Sequence, residues 1–294
     1  MALLVVEMEL ANAQTERWSE ALMESGALCV DIADADAGAA SEQALYDEPG
    51  EEARIWSRSR LTALFDPGTD VAAEVSRLAQ ALGDAAEYRV GRLDDKDWVR
   101  EVQAQSEPIA VGERLWIVPS WREPPRPGAL NLVVDPGLAF GSGSHPSTRL
   151  CLRWLEAHLK GGETVVDYGC GSGILALAAA KLGASRVMGV DIDPQALAAS
   201  RDNARRNGVE ALFLSAEAPL EIAADVLVAN ILARTLTLLA PAFARMVRPG
   251  GDLVLSGVLS AQAPELVAAY CRWFNIAPWE EDEGWVALAG RRAP

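Results

Sequence analysis

Histidine is scarce in this chain: His145 and His158 are the only two among 294 residues. Metal centres and proton relays built on histidine therefore have little to work with, and no metal site is expected. Cysteine is nearly as rare. Cys29, Cys151, Cys170 and Cys271 are scattered, without a C-x-x-C pair. That pattern argues against a disulfide framework and against zinc, and makes a reducing cytoplasm the expected compartment. No apolar run reaches the ~18 residues that a membrane span needs. Met1–Leu10 lacks a basic n-region and carries Glu7 and Glu9, so it reads as a strand and not as a secretion signal. Positive charge is also short, with 26 Lys and Arg against 42 Asp and Glu, a net of −16. An acidic chain repels nucleic acid and attracts basic proteins, so direct nucleic-acid binding is not expected.

The acid is unevenly placed. Residues 1–87 hold 18 acidic and 5 basic side chains, a net of −13, and residues 88–294 account for the remaining −3. On composition alone this acid serves either solubility or the steering of a basic partner. The first segment alternates in the order β-α-β-β-α-β, the ferredoxin-like pattern. Its strands are expected at Leu3–Leu10, Ala27–Ile32, within 53–65 and at Tyr88–Leu93. Its helices are expected at Thr15–Gly26, with Trp18, Leu22 and Met23 inward, and at Asp70–Leu82 with Gly83 as a stop. The acidic stretch 33–52 reads as loop, and Asp94–Gln105 as a charged helix. Leu115–Val118 and Leu130–Val134 read as short strands, and the four prolines between them, within Pro119–Gly128, forbid regular structure there. The expected division is an acidic α+β domain over 1–87, a linker over 88–130 and a second domain over 131–294.

From Thr164 the chain alternates short apolar strands with helices, which implies an α/β fold with a mostly parallel sheet covered on both faces. Strands are expected at 164–168, 186–191, 211–214, 225–229 and 252–257. Helices are expected at 174–182, 194–207, 232–246 and 263–274. A charged turn at Glu280–Gly284 precedes a last antiparallel strand near Trp285–Ala289.

The chemistry gathers at the end of the first of these strands, in Asp167-Tyr-Gly169-Cys-Gly171-Ser-Gly173. Glycines are needed where a backbone turns tightly and lies bare against a ligand. A dinucleotide fingerprint would place glycine at 174, where this chain has Ile174, and a P-loop would add G-K-[ST]. The next strand ends at Asp191, an acid placed about 20 residues on, as needed to accept both hydroxyls of a ribose. Asp193-Pro194 opens the following helix with a capping acid and a first-turn proline. Two other stretches adjoin this unit. Asp135–Thr148 carries three glycines and ends at Thr148, where a helix is expected to open; its His145 is read either as a loop residue bonding backbone or as a general base. Val228-Ala-Asn230-Ile-Leu232 ends a strand, with Asn230 either a helix cap or an acceptor for an amine N–H.

The stretch Asp167–Asp193 resembles the class I S-adenosylmethionine-dependent methyltransferases. Further motifs extend the likeness over nearly the whole chain: Asp95-Lys-Asp-Trp98, Gly112–Ile117, Pro119-Ser-Trp-Arg122, Asp135–His145, Ser200–Asn203 and Asn230-Ile-Leu-Ala233. Together they resemble the ribosomal protein L-eleven methyltransferase family. That resemblance implies a class I Rossmann-like sheet, a small ferredoxin-like substrate-recognition domain before it, and S-adenosylmethionine as cofactor. It also implies the activity: methylation of lysine amines and of the N-terminal α-amine of ribosomal protein L-eleven, generally to the trimethyl state. Cofactor-binding residues carried over by motif are Thr148, Asp167, Gly169, Gly171, Gly173, Asp191 and Asn230, with Asn230 and His145 as the catalytic candidates. A monomer is expected. Rival readings are a small-molecule methyltransferase, a non-catalytic assembly factor that retains the cofactor site, and a NAD-linked dehydrogenase.

Overall fold

The first and third strands of the first segment are amphipathic with a period of two, and this decides their packing. In β1 (Leu3–Ala11), Val6, Met8 and Leu10 are buried while Glu7 and Glu9 are exposed. In the computed structural model, which describes residues 2–37, 56–84, 86–93, 106–126, 128–135, 141, 143–218 and 222–294, the chain forms two compact units, 1–101 and 102–294. The expected helix at 94–105, the Asp95–Trp98 motif and most of the acidic loop lie outside the described residues.

The first unit has the expected order, β1, α1 (Asn12–Glu24), β2 (Cys29–Asp34), β3 (Arg58–Phe65), α2 (Val71–Leu82) and β4 (Tyr88–Leu93). The sheet order is β2-β3-β1-β4 with every pair antiparallel, which is the split β-α-β arrangement. Trp18 and Leu22 of α1 are fully buried in the core with Leu61, Phe65 and Val75. Met23, expected inward, is exposed, because the buried stripe runs through Thr15, Trp18 and Leu22. Asp70 caps α2 by accepting the Ala73 N–H at 3.1 Å, and Gly83 ends it in the left-handed conformation.

The second unit begins with a three-stranded sheet, β5 (Ile109–Ala110), β6 (Leu115–Val118) and β7 (Leu130–Val133). Most of this lies in the stretch read as linker. It packs as core: Leu115, Ile117 and Leu132 are buried against Leu152, Ile174 and Leu175. Three side chains fasten it. The Glu156 carboxylate accepts the N–H groups of Arg114 and Leu115, Asn207 exchanges two bonds with the backbone of Val133, and Asp135 accepts from the Ser120 N–H and hydroxyl and pairs with Arg206.

The main sheet then follows, with α3 (Pro146–His158), β8 (Thr164–Tyr168), α4 (Ile174–Lys181), β9 (Arg186–Asp191), α5 (Pro194–Asn207), β10 (Leu212–Ser215), β11 (Ala224–Asn230), α6 (Ala233–Met246), β12 (Val247–Leu259), α7 (Ala263–Tyr270), β13 (Phe274–Asp282) and β14 (Trp285–Arg292). Strand order is β10-β9-β8-β11-β12-β14-β13, and β14 alone runs against the others, antiparallel to both β12 and β13. Successive strand residues feed opposite faces. Val165 joins the core under α3, α4 and α5, while Val166 joins the core under α6 and α7.

Two local readings need correction. Phe274–Asp282 is a full strand, so the charged turn shrinks to Glu283 and Gly284, both at positive φ. The charges within the strand are held by ion pairs from Arg149 and Arg153 of α3 to Asp282 and Glu280. The helix that was expected to open at Thr148 opens two residues earlier, with Pro146 in its first turn and His145 as its cap.

Candidate functional site

Sheet order reverses between β8, followed by its neighbours β9 and β10 on one side, and β11 and β12 on the other. The carboxyl ends of β8 and β11 therefore diverge into a crevice, where open α/β sheets place their ligands. The glycine loop leaves β8 there, and Asn230 ends β11 beside it.

Gly169, Gly171 and Gly173 all take positive φ, at 77°, 53° and 79°. Their backbones are pinned. The Gly169 N–H donates to the Val190 carbonyl at 2.7 Å, the Gly171 N–H to Asp191 Oδ2 at 2.8 Å, and the Gly173 N–H to the Cys170 carbonyl at 2.7 Å. A Cβ at Gly173 would stand 2.8 Å from Ser200 Cβ, so α5 can approach only a bare backbone. Ser200 donates to the Gly171 carbonyl and Asn203 to the Ser172 carbonyl, which gives the Ser200–Asn203 motif a role in holding the loop from outside. Ser172 in turn donates to the carbonyl of Gly141 at 2.7 Å, tying in the end of the Asp135–His145 stretch. Residues 136–140 and Ser142 of that stretch lie outside the described residues.

Asp191 uses one carboxylate oxygen for Gly171 and the other for the Asp193 N–H, at 2.8 and 3.0 Å. An ionised carboxylate offers about four lone-pair sites, so acceptors remain for a diol. Ile192, next in sequence, is 76 % exposed, an apolar face beside a polar acceptor. Acceptors for ribose hydroxyls, an uncovered apolar side chain and a loop with glycine at every second position fit the adenosine part of S-adenosylmethionine.

Asp167 is fully buried. Its Oδ2 accepts the Ala176 N–H at 3.0 Å, while Oδ1 has no hydrogen-bond partner among the described residues. Burial pushes its carboxyl up to about 7, against the backbone bond from Ala176 and with help from the nearby Asp191 charge. Its place is under the loop, where it anchors the start of α4. Burial also pushes the Cys170 thiol up, so this cysteine is a protonated packing group and not a thiolate nucleophile.

Asn230 Nδ2 donates to Thr148 Oγ1 at 3.1 Å. Thr148 is 1 % exposed and lies in the first turn of α3, so it supports Asn230 from behind. The cap reading of Asn230 fails: Leu232 is the cap residue of α6 and no side chain caps it. With Nδ2 committed to Thr148, the acceptor of the amide is Oδ1. His145 is the cap of α3. Its Nδ1 accepts the Ser147 N–H at 3.3 Å and lies 2.7 Å from the Ser147 hydroxyl, and its ring sits edge-on to Trp285. Burial, and then the Arg149 guanidinium, hold its pKa below the ordinary histidine value, with Glu283 opposing. A neutral ring that accepts at Nδ1 carries its proton on Nε2, which favours the backbone-bonding reading over that of a base.

Arg149 and Asp282 also shape the site and are missed by the sequence reading. Arg149 bridges the Ser144 carbonyl, at 2.6 Å, to Asp282 and Glu283. The only sequence signal was the position of Arg149 one turn into the helix.

Comparison with known proteins agrees with this geometry. The family model described as ribosomal protein L11 methyltransferase (PrmA) matches residues 3–293. A ribosomal protein L11 methyltransferase of Cupriavidus metallidurans is 52 % identical, covering 99 % of this chain and 97 % of its own. One from Thiobacillus denitrificans is 53 % identical over 97 % of each chain. The crystal structure of a ribosomal protein L11 methylase from Lactobacillus delbrueckii subsp. bulgaricus superposes with a TM-score of 0.60 at 34 % identity, covering 64 % of this chain and all of that one.

Proposed function

The chain belongs to the ribosomal protein L11 methyltransferase family, and on that premise we propose that it methylates amines of ribosomal protein L11. The acceptors are lysine side chains and the N-terminal α-amine, carried to the trimethyl state. The observation that carries the acceptor chemistry is Asn230, held by Thr148 at the end of β11 and beside the glycine loop.

S-adenosylmethionine, when bound, supplies a methyl group on a cationic sulfur as the electrophile. Gly169, Gly171 and Gly173 provide the bare backbone against which it lies, and Asp191 accepts its ribose hydroxyls. Asn230 Oδ1 accepts one N–H of the incoming amine, and the Ile231 carbonyl accepts the other. Two acceptors on two N–H groups leave the nitrogen lone pair as the third direction, aimed at the methyl. The amine must be neutral to attack. At pH 7 about one lysine in a thousand is neutral, so supplying that form costs roughly 4–5 kcal/mol. Burial of the amine in the crevice lowers its pKa and reduces that cost. Loss of the proton to water then suffices, and positioning provides the main rate gain. His145 acts as the cap that sets the first turn of α3, and through it Thr148.

The acidic segment 1–87 of the first unit is the substrate-recognition domain in this reading. Ribosomal proteins are typically basic, and its charge of −13 attracts them. The test is incubation of the full-length protein with isotopically labelled S-adenosylmethionine and unmethylated ribosomal protein L11, followed by intact-mass and peptide mass spectrometry. Labelled mass added at lysines and the N-terminus is expected. Cofactor binding with no methyl added would replace this reading with that of an assembly factor.

A further inference from the structure

Two glycines from different strands leave the space that Ile231 fills. A Cβ at Gly169 would stand 2.3 Å from Ile231 Cγ2. A Cβ at Gly257 would stand 2.5 Å from the Ile231 carbonyl oxygen and 3.0 Å from its backbone N and C. Gly257 lies in a bulge of β12. Pairing with β14 steps from Leu255↔Leu288 to Val258↔Val286, so Ser256 and Gly257 together oppose Ala287. At Gly257 φ is +79°, a conformation that other residues rarely adopt. The bulge begins where β11 ends, since Asn230 pairs with Ser256. The strand thus gives up its side chain at the one place where the chain leaving Asn230 crosses it.

We propose that Ile231 is a positioning residue, seated between Gly169 and Gly257, and that this seat sets the height of its own carbonyl as the second acceptor for the substrate amine. The inference rests on the amine-acceptor reading of Asn230. Neither glycine touches substrate in this account. Gly169 fixes the side chain of Ile231 from the cofactor loop, and Gly257 fixes its peptide from β12. The cofactor loop and the amine acceptor are thereby built as one stack, Gly169–Ile231–Gly257.

The chemistry supplies a readout that a merely structural role would not move. A neutral primary amine has two N–H groups and uses both acceptors. A monomethylamine has one N–H, and a dimethylamine has none. In each transfer the nitrogen lone pair forms the N–C bond, the S–C bond breaks with its electrons going to sulfur, and any N–H proton then leaves to water. Displacing one acceptor must therefore slow the first transfer far more than the third.

The experiment compares wild type, Gly257→Ala, Ile231→Ala and Asn230→Ala, all full-length. Substrates are unmodified ribosomal protein L11 and the same protein dimethylated beforehand by reductive methylation. Relieving the 2.5 Å contact in Gly257→Ala moves the carbonyl by about 1 Å, and misplacement on that scale lowers rate on the order of 10-fold to 100-fold. That loss is expected on unmodified substrate, with the rate on dimethylated substrate and the calorimetric Kd for S-adenosylmethionine each within about threefold of wild type. Ile231→Ala, which leaves the glycine backbone untouched, is expected to show the same selective loss and carries the test if Gly257→Ala does not fold. Equal losses on both substrates, or none, in the folded variants overturn the proposal. If Asn230→Ala shows the selective loss while the other two do not, only the seat of Ile231 is wrong; if Asn230→Ala is also unselective, the acceptor reading fails with it.

Discussion

Replacing Asp191 by asparagine should weaken S-adenosylmethionine binding about 10-fold to 150-fold, and the structure shows why so conservative a change is damaging. The two carboxylate oxygens of Asp191 each accept a backbone N–H, from Gly171 at 2.8 Å and from Asp193 at 3.0 Å. Asparagine has one acceptor oxygen and an NH2 group. Whichever way it turns, one of those N–H groups faces another donor, and one of the two ribose acceptors disappears. A charge-assisted hydrogen bond of this kind contributes roughly 1.5–3 kcal/mol. At about 1.4 kcal/mol per decade that is the stated range in Kd. The loss divides between loop order and ligand contact, and two measurements separate them. Titration calorimetry gives Kd, and thermal unfolding without cofactor reports the loop. Asp193→Ala serves as the comparison. It removes the cap of α5, where Asp193 accepts the Gln195 N–H at 2.8 Å, and should cost about 1 kcal/mol of stability with little change in Kd. An Asp191→Asn protein that binds within about threefold of wild type would falsify the role given to this carboxylate.

Two further outcomes follow from charge. Asp167 is raised to about 7 in the folded chain, against 3.8 as its ordinary value. The unfolded chain loses this proton near pH 4 while the folded chain keeps it to about 7, so the group removes stability as pH rises through that window, by roughly 4 kcal/mol in all. Asp167→Asn should flatten the pH dependence of the denaturant midpoint between pH 5 and 7.5; parallel curves for variant and wild type would refute a raised pKa. The acidic first unit should make kcat/KM for ribosomal protein L11 fall as ionic strength rises from about 10 to 150 mM, as the Debye length shrinks from about 30 to 8 Å. A flat response would leave the −13 over residues 1–87 as a solubility device only.

How much was legible in the sequence depends on how local the deciding interaction is. β8, β9, α5 and β4 have the bounds that their patterns implied, because each is marked by its own residues: an alternating or apolar run, an Asp-Pro start, a glycine stop. β13 was misread because Pro278 and the run Glu280–Asp282 look like a loop. Those acids are tolerable in a strand only because Arg149 and Arg153, which lie well over a hundred residues earlier, reach them. The stretch 88–130 reads as connector for a similar reason. Strands β5, β6 and β7 have two to four residues each, too short to declare a core, and they are held by Glu156 and Asn207 from helices that come later.

The same division holds at the site. The chain alone pointed to a cofactor loop, because Gly169, Gly171, Gly173 and Asp191 lie within one strand–loop–helix–strand unit whose spacing is its geometry. It could not decide between two roles for Asn230, or between two for His145, since each pair of roles uses the same residue type at the same place. Tertiary structure removes the cap role of Asn230, since Leu232 is the cap residue of α6, and brings Thr148 from α3 to the Asn230 amide across 82 residues. For His145 it favours the cap of α3 by placing its Nδ1 against the Ser147 N–H. It also put Gly257 against Ile231, a contact that no local pattern encodes, because it exists only where β11 ends beside a bulge in β12. Backbone conformation is written in neighbouring residues, whereas the direction of a side chain's hydrogen bond is decided by whatever the fold sets opposite it.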